Sequence, residues 1–156
     1  MKPLSPEQSD AIAEVVARWL ANSIGTPLQS VRFADAKHAQ CHANAAAYAA
    51  SHGGQAENGF LIEHPDSSSL AIVRAHAVVR EASGRLVDPT VDEERLRRLA
   101  FFEYASDVGV FDAIRRDHPE IWFSLPAPAG HSLLAPDSDS VAGDRQATSS
   151  SAATAQ

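Results

Sequence analysis

Residues 40–54 have the sequence QCHANAAAYAASHGG, and residues 74–90 have the sequence RAHAVVREASGRLVDPT. The first stretch predicts an alanine-rich helix that carries the only cysteine, Cys41, in its first turn and ends at two glycines. The second predicts two apolar strands with a turn between them, the first bearing His76 and the second ending at Asp88. Three consecutive elements therefore present a thiol, an imidazole and a carboxylate.

These three residue types form a site that activates a cysteine. A helix N-terminus favours the thiolate of Cys41, which is the nucleophilic form. An imidazole accepts the thiol proton and returns it to a leaving group, while a carboxylate orients the imidazole. His76 and Asp88 are twelve residues apart (88 − 76), and a tight turn at residues 82–84 would bring them side by side. The pattern predicts a Cys41-His76-Asp88 catalytic triad.

Two further side chains near Cys41 are candidates for supporting roles. Gln40 could donate a hydrogen bond to an oxyanion together with the Cys41 amide, or its side chain could be solvated. Asn44 lies one helical turn after Cys41, and we expect it to bind a neighbouring backbone carbonyl. Asp88 has a structural alternative, since it could cap the turn at Pro89 instead of, or as well as, orienting His76.

The residues carry a resemblance to a known superfamily. The run HAVVREASGRLVDPT resembles the histidine strand, turn and aspartate strand of transglutaminase-like, papain-like cysteine proteins, and an upstream cysteine helix matches in order. Within that group, residues 38–90 are similar to small bacterial and phage members of undefined activity. The resemblance implies an α+β fold in which a nucleophile helix packs on a small antiparallel sheet with flanking helices. It implies a cysteine hydrolase or acyltransferase, although Val78 stands where transglutaminases usually have tryptophan.

The flanking segments predict the remaining elements. Ser5, Pro6 and Gln8 form a helix start with a capping box. The apolar stripe that follows comprises Ile12, Val15, Val16, Trp19 and Leu20. Strands are predicted at residues 58–63, 70–80 and 85–88, with Val78 lining the site beside His76. Later segments predict a helix from Val91 that includes Leu96, Leu99 and Ala100, a short helix at residues 110–118, and a core contact at residues 121–123.

Composition limits the classes of function. The formal net charge of −7 argues against a nucleic-acid partner or an anionic membrane surface. A single cysteine allows no internal disulfide, and the sequence shows no signal peptide, which predicts a cytoplasmic protein unless another route exports it. Residues 1–128 are predicted to form one domain, and residues 129–156 a low-complexity, disordered tail. We expect a protein, peptide or small amide substrate and no cofactor.

Two other functions are compatible with the sequence. His38, Cys41, His42 and His76 could together bind zinc, although structural zinc sites commonly use more cysteines. The chain could also be a catalytically inactive binding module of the same fold, because Val78 replaces the usual tryptophan.

Overall fold

The structure is a computed structural model that describes residues 2–65 and 68–126. These residues form a mixed α+β fold with four helices and a six-stranded sheet. In chain order the elements are α1 (Pro6–Ala21), β1 (Gln29–Ser30), α2 (Cys41–His52), β2 (Gln55–Glu63), β3 (Leu70–Arg80), β4 (Leu86–Asp88), α3 (Glu93–Leu96), β5 (Leu99–Glu103), α4 (Val108–Asp117) and β6 (Ile121–Ser124). The predicted tail at residues 129–156 lies outside the described residues.

Helix α1 begins with the predicted capping box. The backbone N–H of Gln8 donates to Ser5 Oγ at 3.3 Å, and the backbone N–H of Ser5 donates to Oε1 of the Gln8 side chain at 2.8 Å. Its apolar stripe is buried at Ile12, Val15, Val16 and Trp19, whereas Leu20 is 55 % exposed. The predicted stripe is therefore one residue too wide. None of the helices in the described parts of the chain is both long and apolar enough to cross a membrane.

The sheet is antiparallel except for one short pair. Its strand order is β1-β4-β3-β2-β5, with β6 also paired to β3. The exception is the two-residue strand β1, which runs parallel to β4. Strand β3 is the longest and lies at the centre, where Gly59 of β2 is directly opposite His76. The three predicted strands at the middle of the chain are confirmed, with β2 beginning three residues earlier than expected.

Apolar residues cover both faces of this sheet. Helices α1 and α4 pack on Phe60 and Val73, and α2 packs on Ala77 and Val79, so all three helices lie on one face. Because successive strand residues point to opposite faces, His76 and the neighbouring even-numbered residues of β3 lie on the other face. There a smaller cluster consists of Leu61, Val78, Leu86 and Phe101.

A gap in the strand pairing of β3 positions the site. On one edge, β3 pairs with β2 along residues 72–80. On the other edge it pairs with β6 at residues 70–73 and with β4 at residues 79–80. Within the described chain, residues 74–78 thus have no strand partner on that edge. The first turn of α2 lies at this gap, where it shares a cleft with His76.

The prediction for the segment after Val91 is wrong in part. Helix α3 ends at Leu96, and residues 99–103 form strand β5. The run Leu99-Ala100-Phe101-Phe102 pairs with β2 and buries side chains on both faces of the sheet, which outweighs its helical spacing. The predicted core contact at residues 121–123 lies in strand β6, where Ile121 and Phe123 pack against the larger core as expected, whereas Trp122 is 55 % exposed.

Candidate active site

Helix α2 delivers Cys41 to the gap in β3. The helix begins at Cys41 and is followed after His52 by Gly53, whose φ of 82° suits a glycine. Ala45 and Tyr48 anchor it on the sheet, since both are buried against Ala77 and its neighbours. Cys41 itself is partly exposed and lines the cleft, so its thiol is accessible at the helix N-terminus.

A buried ion pair holds His76. Its Nε2 lies 2.6 Å from Oδ2 of Asp88, and the two residues are 5 % and 0 % exposed. The other Asp88 oxygen, Oδ1, accepts hydrogen bonds from the backbone N–H groups of Thr90 at 2.8 Å and Val91 at 3.0 Å. Asp88 therefore both contacts His76 and caps the turn, and it uses a different oxygen for each contact.

The electrostatics favour a thiolate beside an imidazolium. Burial raises the pKa of the Cys41 thiol, but hydrogen bonding to His42 and His76 and the positive charge of those imidazoles lower that pKa from 9.0 to about 5. Burial lowers the pKa of His76, but hydrogen bonds to Asp88 and Cys41 and their negative charges raise it from 6.5 to about 9. Between these values the charged pair is the dominant form.

His42 is a second imidazole at the thiol that the sequence pattern did not assign to catalysis. Its side chain lines the cleft, and the ring meets Phe111 edge-on with centroids 5.8 Å apart. Its Nε2 atom is buried without a hydrogen-bond partner in the described residues. The signal in the sequence was adjacency alone, since His42 follows Cys41, and side chains at i and i+1 do not usually share a helix face.

Asn44 ties the loop before α2 to the turn after β4. It is 3 % exposed, accepts from the Lys37 backbone N–H and donates to the Lys37 carbonyl, both at 2.8 Å, and donates to Thr90 Oγ1 at 3.1 Å. The expected bond to a neighbouring backbone carbonyl is therefore present. Asn44 supports the site by holding together the two segments that carry Cys41 and Asp88.

Two other residues that were predicted to lie at the site do not line the cleft. The Gln40 side chain is exposed, makes no capping hydrogen bond and is not among the residues that line the cleft. Its role as an oxyanion donor stays a prediction. Val78 is on the His76 face as expected but is wholly buried among Leu61, Leu86 and Phe101, so the prediction that it lines the site is wrong.

The cleft beside Cys41 has a volume of about 570 Å³. Its walls come from the start of α2, the unpaired edge of β3, the turn after β4 and the ends of α3 and α4. Arginines from three of these elements, Arg74, Arg95 and Arg115, contribute to its lining. No local sequence pattern indicates these arginines, because only the folded chain brings them together.

The zinc hypothesis finds no geometric support. In the described ranges no group of three or more histidine, cysteine, aspartate or glutamate side chains is arranged to hold a metal ion. His38, Cys41, His42 and His76 all line the cleft, yet they do not converge on one point as tetrahedral zinc requires.

Comparison with protein-family models, with curated proteins and with solved structures finds no match to this chain. The site offers a partly exposed cysteine and a histidine that line the same cleft, and a buried carboxylate that contacts the histidine. Such a set can perform nucleophilic attack followed by proton return to a leaving group.

Proposed function

We propose that this protein is a cysteine hydrolase or acyltransferase that cleaves an amide or acyl bond through Cys41, His76 and Asp88. The observation that carries the proposal is the buried 2.6 Å contact between His76 and Asp88 next to a thiol whose pKa is lowered to about 5. A helix start, a central strand and the next strand end supply the three groups, in the order expected of a transglutaminase-like, papain-like core. We assign the fold to that superfamily as part of the same proposal.

The roles of the side chains follow from their contacts. Asp88 binds His76 through Nε2, so Nδ1 is the ring nitrogen left for the Cys41 thiol. The thiolate sulfur attacks the carbonyl carbon, forming an S–C bond. His76 then gives its proton to the leaving nitrogen or oxygen as the bond to carbon breaks. Water or an amine attacks the resulting thioester, His76 accepts the proton of that nucleophile, and Cys41 is released.

The experiment that tests this proposal is alkylation of Cys41 with iodoacetamide from pH 4 to pH 10. An ordinary thiol reacts slowly below about pH 8 because its pKa is about 8.5. Since the pKa of Cys41 is lowered to about 5, we expect the rate to remain high at pH 6 and to fall only as the pH drops through 5. Cys41→Ser, which removes the only thiol in the chain, is the blank.

Rates measured at the upper end of the pH range distinguish the reactivity of the thiol from proton donation by His76. The pKa of His76 is raised to about 9, so above this pH the imidazole is neutral while the thiolate persists. Alkylation should continue there, whereas cleavage of any amide substrate should fall because the leaving group receives no proton. An alkylation curve that rises only near pH 8.5 would refute the catalytic assignment and favour an inactive binding module.

A further inference from the structure

The cleft beside Cys41 concentrates positive charge although the chain is acidic. The formal net charge of the chain is −7. Among the residues that line the cleft, the arginines are Arg74, Arg95 and Arg115, and the only acidic side chain is Asp92. An anion that approaches this protein is repelled by the molecule as a whole, so a basic cleft has to act locally.

Two of the three arginines already have acidic partners. Arg74 lies between Glu63, at 2.6 Å, and Glu120, at 2.9 Å. Arg115 lies 3.3 Å from Asp112 on the same helix. Their charges are therefore partly balanced by acidic groups outside the cleft lining. Both have less charge to offer a ligand than an unpaired arginine has.

Arg95 differs from these two. Its guanidinium forms no ion pair within 4.0 Å in the described chain, although the next two arginines pair with Glu93 and Glu94. Its backbone is fixed, because its N–H donates to Asp92 Oδ1 at 2.8 Å at the start of α3. The Asp92 carboxylate is thus engaged as a helix cap. Arg95 is the one arginine of the cleft lining that has no ion-pair partner among the described residues.

We infer that the substrate carries a carboxylate that Arg95 binds while Cys41 attacks a neighbouring amide or acyl group. This inference rests on the proposed function and names its substrate class. A guanidinium matches the planar oxygens of a carboxylate. The cleft lining holds one unpaired arginine among the described residues, which suits the single negative charge of a carboxylate.

The test compares two alkylating agents of nearly the same size, iodoacetate and iodoacetamide, which differ by the carboxylate charge. The ratio of their rates at Cys41, divided by the same ratio for glutathione, reports the preference of the cleft for an anion. We expect Arg95→Gln to lower this ratio by about fivefold, as expected for a charge near 4 Å in water. The matched control is Arg98→Gln, which removes the same charge from the same segment but does not line the cleft.

Three measurements test Arg95, the ligand class and the proposed function separately. A ratio that is equal in the wild type and Arg95→Gln, or that falls as far in Arg98→Gln, overturns the assignment of Arg95. Competition at matched ionic strength tests the ligand class: acetate should slow iodoacetate more than inorganic phosphate does, and the reverse order overturns the carboxylate. The iodoacetamide rate tests the proposed function separately. If this rate is slow at pH 6 in the wild type and in every variant, the catalytic triad is refuted, whatever the ratio of the iodoacetate and iodoacetamide rates.

Discussion

Asp88 divides its two carboxylate oxygens between catalysis and structure in the proposed mechanism. Oδ2 faces Nε2 of His76, and Oδ1 accepts the backbone N–H groups of Thr90 and Val91. The residue is wholly buried, so each oxygen depends on these partners for its hydrogen bonds. Substitutions that change one oxygen at a time can therefore separate the two contributions.

We predict that Asp88→Asn folds but reacts slowly. The amide oxygen can replace Oδ1 at the turn, whereas the NH₂ group must face His76 and forces its Nε2 to accept a hydrogen bond. The imidazole then carries its proton on the nitrogen nearest Cys41 and can no longer become a stabilised imidazolium. We expect the iodoacetamide rate at pH 6 to fall at least tenfold while the melting temperature changes by a few degrees.

The comparison variant is Asp88→Ala, which removes both oxygens. It leaves the part-buried backbone N–H groups of Thr90 and Val91 without their acceptor, at a cost of up to about 1–3 kcal/mol each. We therefore expect this variant to lose both stability and thiol reactivity. If Asp88→Asn reacts at the wild-type rate, Asp88 has only a structural role and the site reduces to Cys41 and His76.

His42 allows a prediction about the acidic limb of the pH profile. Hydrogen bonding and charge from His42 help to lower the pKa of Cys41, so replacing this imidazole should raise that pKa. We predict that His42→Gln slows alkylation at pH 6 by roughly two- to tenfold and has little effect at pH 9, where the thiolate forms anyway. His38→Gln, at an exposed residue that lines the same cleft, is the control. Equal rates for His42→Gln and wild type at pH 6 would remove His42 from the site.

The sequence predicted the residues whose chemistry and spacing are local and missed those that depend on the fold. The contact between His76 and Asp88 could be predicted because one hairpin joins their strands, and Cys41 could be placed at the start of the helix that borders the same cleft. Arg95 could not be predicted, because nothing in its own segment indicates that α3 and the turn after β4 form walls of the cleft. Val78 shows the opposite error, since its predicted face is right but its exposure depends on Phe101, a residue from a distant strand.

At the scale of elements, the contact between β2 and β5 supports the histidine. Gly59 pairs with His76 across the sheet, and the Phe101 ring occupies the space where a Gly59 side chain would be. A Cβ atom placed on Gly59 would lie 2.4 Å from that ring. The same ring meets His76 edge-on with centroids 6.5 Å apart. The absence of a side chain at residue 59 therefore lets Phe101 pack beside the imidazole.

We predict that Gly59→Ala destabilises the protein by about 1–3 kcal/mol, because Phe101 or the β5 backbone must move. The displaced ring should also disturb His76 and lower the iodoacetamide rate at pH 6 in the protein that remains folded. Gly109→Ala in α4 is the control, since its added Cβ would meet only Asp107 Oδ1, at 3.3 Å. Urea unfolding and alkylation measure the two effects. Wild-type stability in Gly59→Ala would show that the sheet can adjust freely at this point.

Elements with strong local signals were predictable, and those defined by a partner were not. The capping residues fixed the start of α1, and two glycines fixed the end of α2. The two residues of β1 have no pattern of their own and form a strand only because β4 lies beside them. The apolar run in β5 suits either a buried strand or a helix, and pairing with β2 decides between them.

At the scale of the whole molecule, the residues of the site come from both faces of the sheet. Helix α2 carries Cys41 and packs on the face that holds the larger core, whereas His76 and Asp88 lie on the opposite face with Val78 and Leu86. The gap in the pairing of β3 is where the two sides meet. The placement of the thiol and the imidazole in one cleft therefore depends on the packing on both faces.

The last prediction is that thiol activation and global folding are lost together. Trp19 is 8 % exposed in the larger core, so its fluorescence reports that face, once Trp122→Phe has removed the exposed tryptophan. A domain that unfolds as one unit gives the same midpoint by every probe. We therefore expect the urea midpoint for Trp19 fluorescence to equal the midpoint for loss of rapid Cys41 alkylation at pH 6. If rapid alkylation disappears at a lower urea concentration, the elements that hold His76 and Asp88 open separately from the main core.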